Sequence, residues 1–280
     1  MISPMVYLNG SFVPLEEARI SVLDRGFLFG DGVYEVIPIY GGRPLRLEEH
    51  LRRLENSLRG IRMAPPLQQA EWEAIFMRLV QGKHDQAIYL QVTRGVAPRR
   101  DHAIPEEVSP TVFAMCSPIT PSSVSGIRAI TLDDIRWQWC HIKAITLLPN
   151  VLLRQTAADR DCGEAILVRN GYVTEGTASN VFAVIGGIIV TPPKSAELLP
   201  GVTRDLVLEL AQADGLATRE RAISLPELRR AEEIWVTSST REILPVVELD
   251  GQKVGSGQPG PLGERIIALY QGFKQRLQAA

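Results

Sequence analysis

DDIRWQWCHIKAITLLPN, residues 133–150, holds Lys143 inside an apolar, strand-like run, and VTEGTASNVF, residues 173–182, follows it. Lysine is scarce: Lys83, Lys143, Lys194, Lys253 and Lys274 are all the chain has, and arginine supplies the rest of the positive charge. Only Lys143 lies in such a run. An ammonium removed from water is costly, so a lysine there is paired, deprotonated or covalently used. A desolvated lysine amine makes the Schiff base that a carbonyl cofactor such as pyridoxal phosphate requires. The competing reading is a stem packed on apolar surface with its head in water. Position alone leaves both open.

Outward from this stretch the chain is punctuated by hairpin signals. Asn9-Gly10 separates MVYL from SFVP, and Gly41-Gly42 separates VIPIY from RPLRL. Asn170-Gly171, Gly186-Gly187 and Asp250-Gly251 each divide a further pair of strand-like runs. Such pairs supply the positive φ angles of two-residue turns, so antiparallel strands are expected throughout. Helices interleave. Leu47, Leu51, Leu54, Leu58 and Ile61 recur at helical spacing. A second helix is expected from Glu71 to Val80 and a last one from Leu262 to Leu277. Asn150 is expected to cap a helix ending near Gly163, and Thr203 one ending near Gly215. Ser224 with Glu227 reads as a capping box, with Pro226 tolerated in the first turn.

SPITPSSVSG, residues 117–126, interrupts the pattern with Pro, Ser and Gly and is the linker candidate. The expected organisation is therefore an N-terminal α+β domain over 1–117, a linker over 118–125, and a C-terminal α/β domain over 126–280 that carries the lysine.

The 280 residues are 45% hydrophobic with a formal net charge of −2. That balance gives no reason to expect nucleic acid or a membrane as partner. The N-terminus lacks a basic segment followed by an apolar core, so no secretory leader is expected. Cys116, Cys140 and Cys162 are odd in number and lack CxxC spacing, which argues against a disulfide framework and fits a reducing cytoplasm. His50, His84, His102 and His141 show no metal-ligand spacing, and no metal is expected. The glycine-rich nucleotide motifs of Rossmann and P-loop proteins are absent from the sequence.

A pyridoxal phosphate site needs a lysine, a group facing the pyridine nitrogen, a phosphate cradle and a trap for the substrate carboxylate. Glu175 in VTEGTASN suits the nitrogen, and an exposed strand-end glutamate is the plain alternative. LLPGVTRDLVLEL offers the N–H groups of Val202 and Thr203 at a helix start, a geometry that binds anions. Ser238, Ser239 and Thr240 cluster at a strand end, and Arg53 offers a bidentate partner for phosphate. Arg99, Arg100 and His102 lie in a proline-bounded loop, where a guanidinium is suited to gripping a carboxylate. A helix cap, a polar loop and solvated arginines are the alternatives for these.

Taken together and in order, these blocks resemble the fold-type IV pyridoxal phosphate enzymes, and among them the bacterial D-amino-acid aminotransferases. The resemblance runs through DRGFLFGDGVYEV (24–36), HLRRL (50–54), QVTRGVAPR (91–99), DIRW (134–137), HIKAITLLPNVL (141–152), EAILVRNGYVTEGTASNVF (164–182), LLPGVTRDLV (198–207) and VTSSTREILPV (236–246). It implies pyridoxal 5'-phosphate as cofactor and Lys143 as the Schiff-base lysine. It implies Glu175 at the pyridine nitrogen. Arg53 is matched to the phosphate, with Val202, Thr203, Ser238 and Ser239. Tyr34 is matched to the substrate carboxylate. The family's R-x-H trap fits Arg100-Asp101-His102, with Arg99, which directly follows Pro98, as the alternative. This loop departs from the family in carrying two adjacent arginines.

The activity implied is transamination of D-alanine with 2-oxoglutarate to pyruvate and D-glutamate by a cytoplasmic homodimer with its site near the subunit interface. The rivals are an L-branched-chain aminotransferase, an aminodeoxychorismate lyase-like enzyme, and a non-catalytic cofactor-binding protein.

Overall fold

Each of the five two-residue signals turns an antiparallel hairpin, because both central residues take positive φ: 47° and 91° at Asn9-Gly10, 53° and 81° at Asn170-Gly171. The computed structural model describes residues 4–120 and 126–279. The chain divides into two compact units. One takes in Met1–Ile119, Ile142–Thr146 and Leu277–Ala280; the other takes in Thr120–His141 and Leu147–Arg276.

The first unit is built from β1 (Met5–Leu8), β2 (Ser11–Pro14), α1 (Arg25–Phe29), β3 (Gly32–Tyr40), β4 (Arg43–Pro44), α2 (Leu47–Gly60), α3 (Gln69–Leu79), β5 (Gln86–Thr93) and β6 (Thr111–Pro118). The strands form one antiparallel sheet in the order β2-β1-β6-β5-β3-β4. Residues alternate between its faces. Val33, Ile37 and Ile39 of β3 and Ile88, Leu90 and Val92 of β5 bury against Leu51, Leu54 and Leu58 of α2 and Trp72 and Phe76 of α3. The leucine spacing read from the sequence is the face that α2 turns to the sheet. The Glu71 carboxylate accepts from the Gln68 N–H at 2.7 Å, a cap that fixes the start of α3.

The second unit holds β7 (Ile127–Asp133), α4 (Leu148–Ala158), β8 (Glu164–Arg169), β9 (Tyr172–Gly176), β10 (Asn180–Ile185), β11 (Ile188–Thr191), α5 (Val202–Ala213), β12 (Thr218–Glu220), α6 (Leu225–Arg229), β13 (Glu233–Ser238), β14 (Glu242–Leu249) and β15 (Gln252–Lys253), and α7 (Pro261–Ala279) begins in it. Its sheet runs β12-β11-β10-β13-β14-β7-β8-β9, with β15 on β14. It is mixed: β7 pairs parallel with β8 and β14, and β11 with β12. Leu153 and Ala157 of α4 pack on Ile130, Ala165 and Leu167.

Several expectations need correction. Asn150 does not cap α4: the helix starts at Leu148 after Leu147 and ends at Ala158, with Pro149 in its first turn. The Asn150 amide instead donates to the Thr177 carbonyl at 2.7 Å. Thr203 does not cap α5 either, because Gly201 stands at the cap and Thr203 lies inside the first turn. The Ser224–Glu227 capping box forms as expected. Residues 121–125 of the expected linker lie outside the described residues. The lysine segment, expected in the C-terminal half, belongs to the first unit. It is not a strand but an irregular stretch with a single bridge, Val33 to Ala144. No helix among the described residues is long and apolar enough to cross a membrane.

Candidate active site

In the first unit, backbone bonds from Tyr34 N–H to the Lys143 carbonyl (3.0 Å) and from Ile145 N–H to the Gly32 carbonyl (3.1 Å) hold the lysine segment against β3. Ser57 of α2 accepts from Lys143 N–H at 3.1 Å. Lys143 is half-buried, and its Nζ lies 4.0 Å from the centre of the Tyr34 ring. It makes no ion pair and no side-chain hydrogen bond among the described residues. Lys194 and Lys274, by contrast, are paired with Asp205 and Glu242. Lys143 is thus a partly desolvated amine left without an acid, held only by an aromatic face.

On the face of β3 opposite Tyr34, in phase with Val33 and Ile37, stands Glu35, fully buried. Its carboxylate accepts from Arg53 Nε and Nη2, each at 2.8 Å, and from His50 Nδ1 at 2.8 Å. Burial works to raise the Glu35 carboxyl, but the Arg53 guanidinium outweighs it and holds the acid well below the carboxylate range. Burial pushes His50 down, so a neutral ring donating to an anionic Glu35 is the consistent assignment. Arg53, the expected phosphate residue, is thus held by Glu35 through its Nε and Nη2. Replacing Glu35 by Gln removes the charge that balances a buried guanidinium and is expected to cost about 3 kcal/mol. Urea denaturation of the two proteins measures this; equal midpoints and slopes would contradict it.

Arg99, Arg100 and His102 are all exposed. Arg100 lies 4.9 Å over the Phe29 ring, and the His102 ring centre is 5.2 Å from the same ring. The contacts that place these two are to α1, rather than to Tyr34 or Lys143.

In the second unit Glu175, on β9, is buried and bonded to Arg136 Nη1, to Leu199 N–H at 3.1 Å and to Asn180 Nδ2 at 3.4 Å. Arg136 is locked in turn by Asp134, from Nε and Nη2 at 2.9 Å each. Burial pushes the Glu175 carboxyl up and Arg136 opposes it. Asn180 ties this acid to the helix start: its Nδ2 donates to the Leu199 carbonyl at 2.8 Å. A Cβ on Gly201 would lie 1.9 Å from Asn180 Oδ1, so only glycine fits where α5 begins. Val202 and Thr203 are buried in its first turn, which has no side-chain cap. Asn180 also pairs with Thr237, next to half-buried Ser238 and Ser239. Ser238 Oγ accepts from Arg241 N–H at 3.3 Å. The second unit thus gathers Glu175, the α5 start and the serine pair around Asn180.

Sequence reasoning missed Glu35, His50, Arg136 and Asn180 as supporting residues. The signal for Glu35 was present: a charge at a core-phase position of GVYEVIPIY.

Comparison with known proteins decides the family. A model of amino-transferase class IV matches residues 32–249. The chain belongs to the class IV aminotransferases. Enzymes of this family depend on pyridoxal phosphate. A D-alanine aminotransferase of Bacillus licheniformis is 42% identical over 271 residues, covering 95% of each chain. Among solved structures, the branched-chain amino acid aminotransferase of Escherichia coli superposes with a TM-score of 0.88 at 27% identity, covering 96% of this chain and 94% of that one. A hypothetical aminotransferase of Mycobacterium tuberculosis, solved in its pyridoxal phosphate-bound form, gives 0.84 at 27% identity, covering 96% and 98%. Membership fixes the two-domain fold-type IV architecture and the aminotransferase class, as expected from the sequence.

Proposed function

We propose that this aminotransferase moves the amino group of a D-amino acid, D-alanine foremost, to 2-oxoglutarate, giving pyruvate and D-glutamate. The observation that carries the reading is the 42% identity to a D-alanine aminotransferase over 95% of both chains, against 26–28% for branched-chain enzymes of very similar fold.

The residues fit pyridoxal phosphate. Lys143 is a partly desolvated amine without an acid partner among the described residues. Glu175 is a buried carboxylate, α5 begins without a side-chain cap, and the buried Thr237 hydroxyl beside the serine pair has no partner among the described residues. When bound, the cofactor supplies a carbonyl for a lysine amine and a ring that takes up the electrons left when the substrate Cα–H bond breaks. Lys143 would hold it and Glu175 would face its pyridine nitrogen. Arg53, the Val202 and Thr203 N–H groups, Ser238 and Ser239 would hold its phosphate.

The protein's own work is then positioning and proton transfer. The Lys143 amine, once free, takes the proton from the substrate Cα and later returns one. Tyr34, Arg100 and His102 hold the α-carboxylate, with Arg99 as the alternative guanidinium. The side on which they place it selects the D-isomer.

Incubation of the holoenzyme with D-alanine and 2-oxoglutarate, followed by chiral analysis of the glutamate formed, tests this. D-glutamate with pyruvate is expected; L-glutamate, or no glutamate, would overturn it. The second reading, L-branched-chain transamination, is favoured by the structural neighbours and would give L-glutamate from L-leucine. We further expect a cytoplasmic homodimer. The exposed apolar face of α4, with Leu148, Val151 and Leu152, supports association, and a fully active monomer in light scattering would refute it.

A further inference from the structure

The DRGFLFGDGVYEV block contributes Tyr34 and Glu35 to the chemistry above, but its Arg25 and Asp31 have no part in it. Arg25, on α1, is only 4% exposed. Its guanidinium is engaged on every nitrogen. Nε donates to Asp31 Oδ2 at 2.8 Å, Nη1 to the carbonyls of Asp101 at 2.6 Å and Ala103 at 3.3 Å, and Nη2 to the carbonyl of His102 at 3.3 Å. Asp31 is gripped also by Arg94, whose Nε donates to the same Oδ2 at 2.8 Å and whose Nη2 donates to Oδ1 at 3.0 Å. Arg94 also donates to the carbonyls of Ile61 at 2.6 Å and Arg62 at 3.4 Å, where α2 ends. The chain of contacts runs from the end of α2 through Arg94, Asp31 and Arg25 to three successive carbonyls of one loop.

That loop has little else to hold it. Residues 99–104 are all exposed, and a cavity of about 530 Å³ lies against Arg25, Phe29, Asp31, Arg94 and His102. One rigid, planar guanidinium on three consecutive carbonyls fixes the backbone direction there in a way a point charge does not. Phe29, from the same short helix, lies under Arg100 and meets the His102 ring at a tilt of 41°. Burial works to raise the Asp31 carboxyl, yet Arg94 and Arg25 hold it below its ordinary value, so it stays an anion at neutral pH.

We propose that Arg25, braced by Asp31 and Arg94, is a positioning residue for substrate recognition: it sets the backbone at residues 101–103 and thereby the directions of Arg100 and His102. The inference rests on the reading of that loop as the carboxylate trap.

The test compares Arg25→Gln, Arg25→Lys, Arg100→Ala and His102→Ala holoenzymes, each checked for retention of the cofactor's visible band. KM for D-alanine is expected to rise on the order of 10- to 100-fold in Arg25→Gln, with a smaller change in kcat. Propionate, a carboxylate without the amine, is expected to weaken in parallel when titrated against the holoenzyme. Arg25→Lys keeps the charge against Asp31 but not the fork, and is expected to behave like Arg25→Gln. It also carries the test if the glutamine variant does not fold. Arg25→Gln added to Arg100→Ala is expected to cost little more than Arg100→Ala alone, because both act through one contact.

A raised KM in Arg100→Ala with normal KM and propionate binding in both Arg25 variants would overturn the positioning role and leave the trap standing. Fully additive effects, or full rescue by lysine, would also overturn it. Unchanged KM in Arg100→Ala and His102→Ala would remove the trap, and the proposed role of Arg25 with it.

Discussion

Lys143→Ala is expected to lower transamination on the order of 10⁴-fold or more, since on the proposed reading it would remove both the covalent anchor and the proton carrier. The structure says why no neighbour replaces it. The amine is held over the Tyr34 ring by a segment bonded on both sides to β3, and the remaining lysines are exposed or paired with acids elsewhere. The variant should still bind the cofactor, because Arg53, the α5 start and the serine pair are untouched. Its spectrum should lack the band of the lysine-bound form. The measurement is the absorbance of purified protein after reconstitution, with single-turnover rates on D-alanine. An unchanged band would take the role from Lys143.

Glu175→Gln is expected to retain cofactor yet slow the breaking of the Cα–H bond on the order of 10³-fold. On the proposed reading Glu175 would face the pyridine nitrogen, and an amide there would lack the charge that favours a proton on it. This substitution differs from Glu35→Gln in where its cost appears. Arg136 keeps Asp134 when Glu175 is neutralised, whereas Glu35 is fully buried and binds both Arg53 and His50. The loss at Glu175 should therefore be in rate and the loss at Glu35 in stability. Rapid mixing with D-alanine under single-turnover conditions checks the first, and a rate close to that of the parent enzyme would remove Glu175 from its role.

What was legible in the sequence was local. The five hairpins are written in Asn-Gly, Gly-Gly and Asp-Gly pairs because positive φ at two adjacent positions excludes most residues. The helix α2 is written in its leucines. The starts of α4 and α5 were misplaced because neither uses a side-chain cap: Asn150 spends its amide on the distant Thr177 carbonyl, and Gly201 is required by its closeness to Asn180. The parallel pairing of β7 with β8 and β14 joins segments far apart in sequence and leaves no local trace. The candidate site residues could be proposed from residue types in order, and their supports could not. Lys143 was read as lying in a strand because its neighbours are apolar, but the segment touches β3 at a single bridge and leaves. Glu35, His50, Arg136 and the Arg25–Asp31–Arg94 chain are polar groups whose partners come from elements distant in sequence, and only the fold identifies them.

The central claim is that the chain acts on D-amino acids through Lys143 and a loop-borne carboxylate trap. The most direct measurement is the half-reaction of the holoenzyme, without any acceptor, with D-alanine and separately with L-leucine, followed by the cofactor spectrum. The account predicts loss of the lysine-bound band with D-alanine and its persistence with L-leucine. Loss with L-leucine alone would contradict it and move the protein to the branched-chain enzymes.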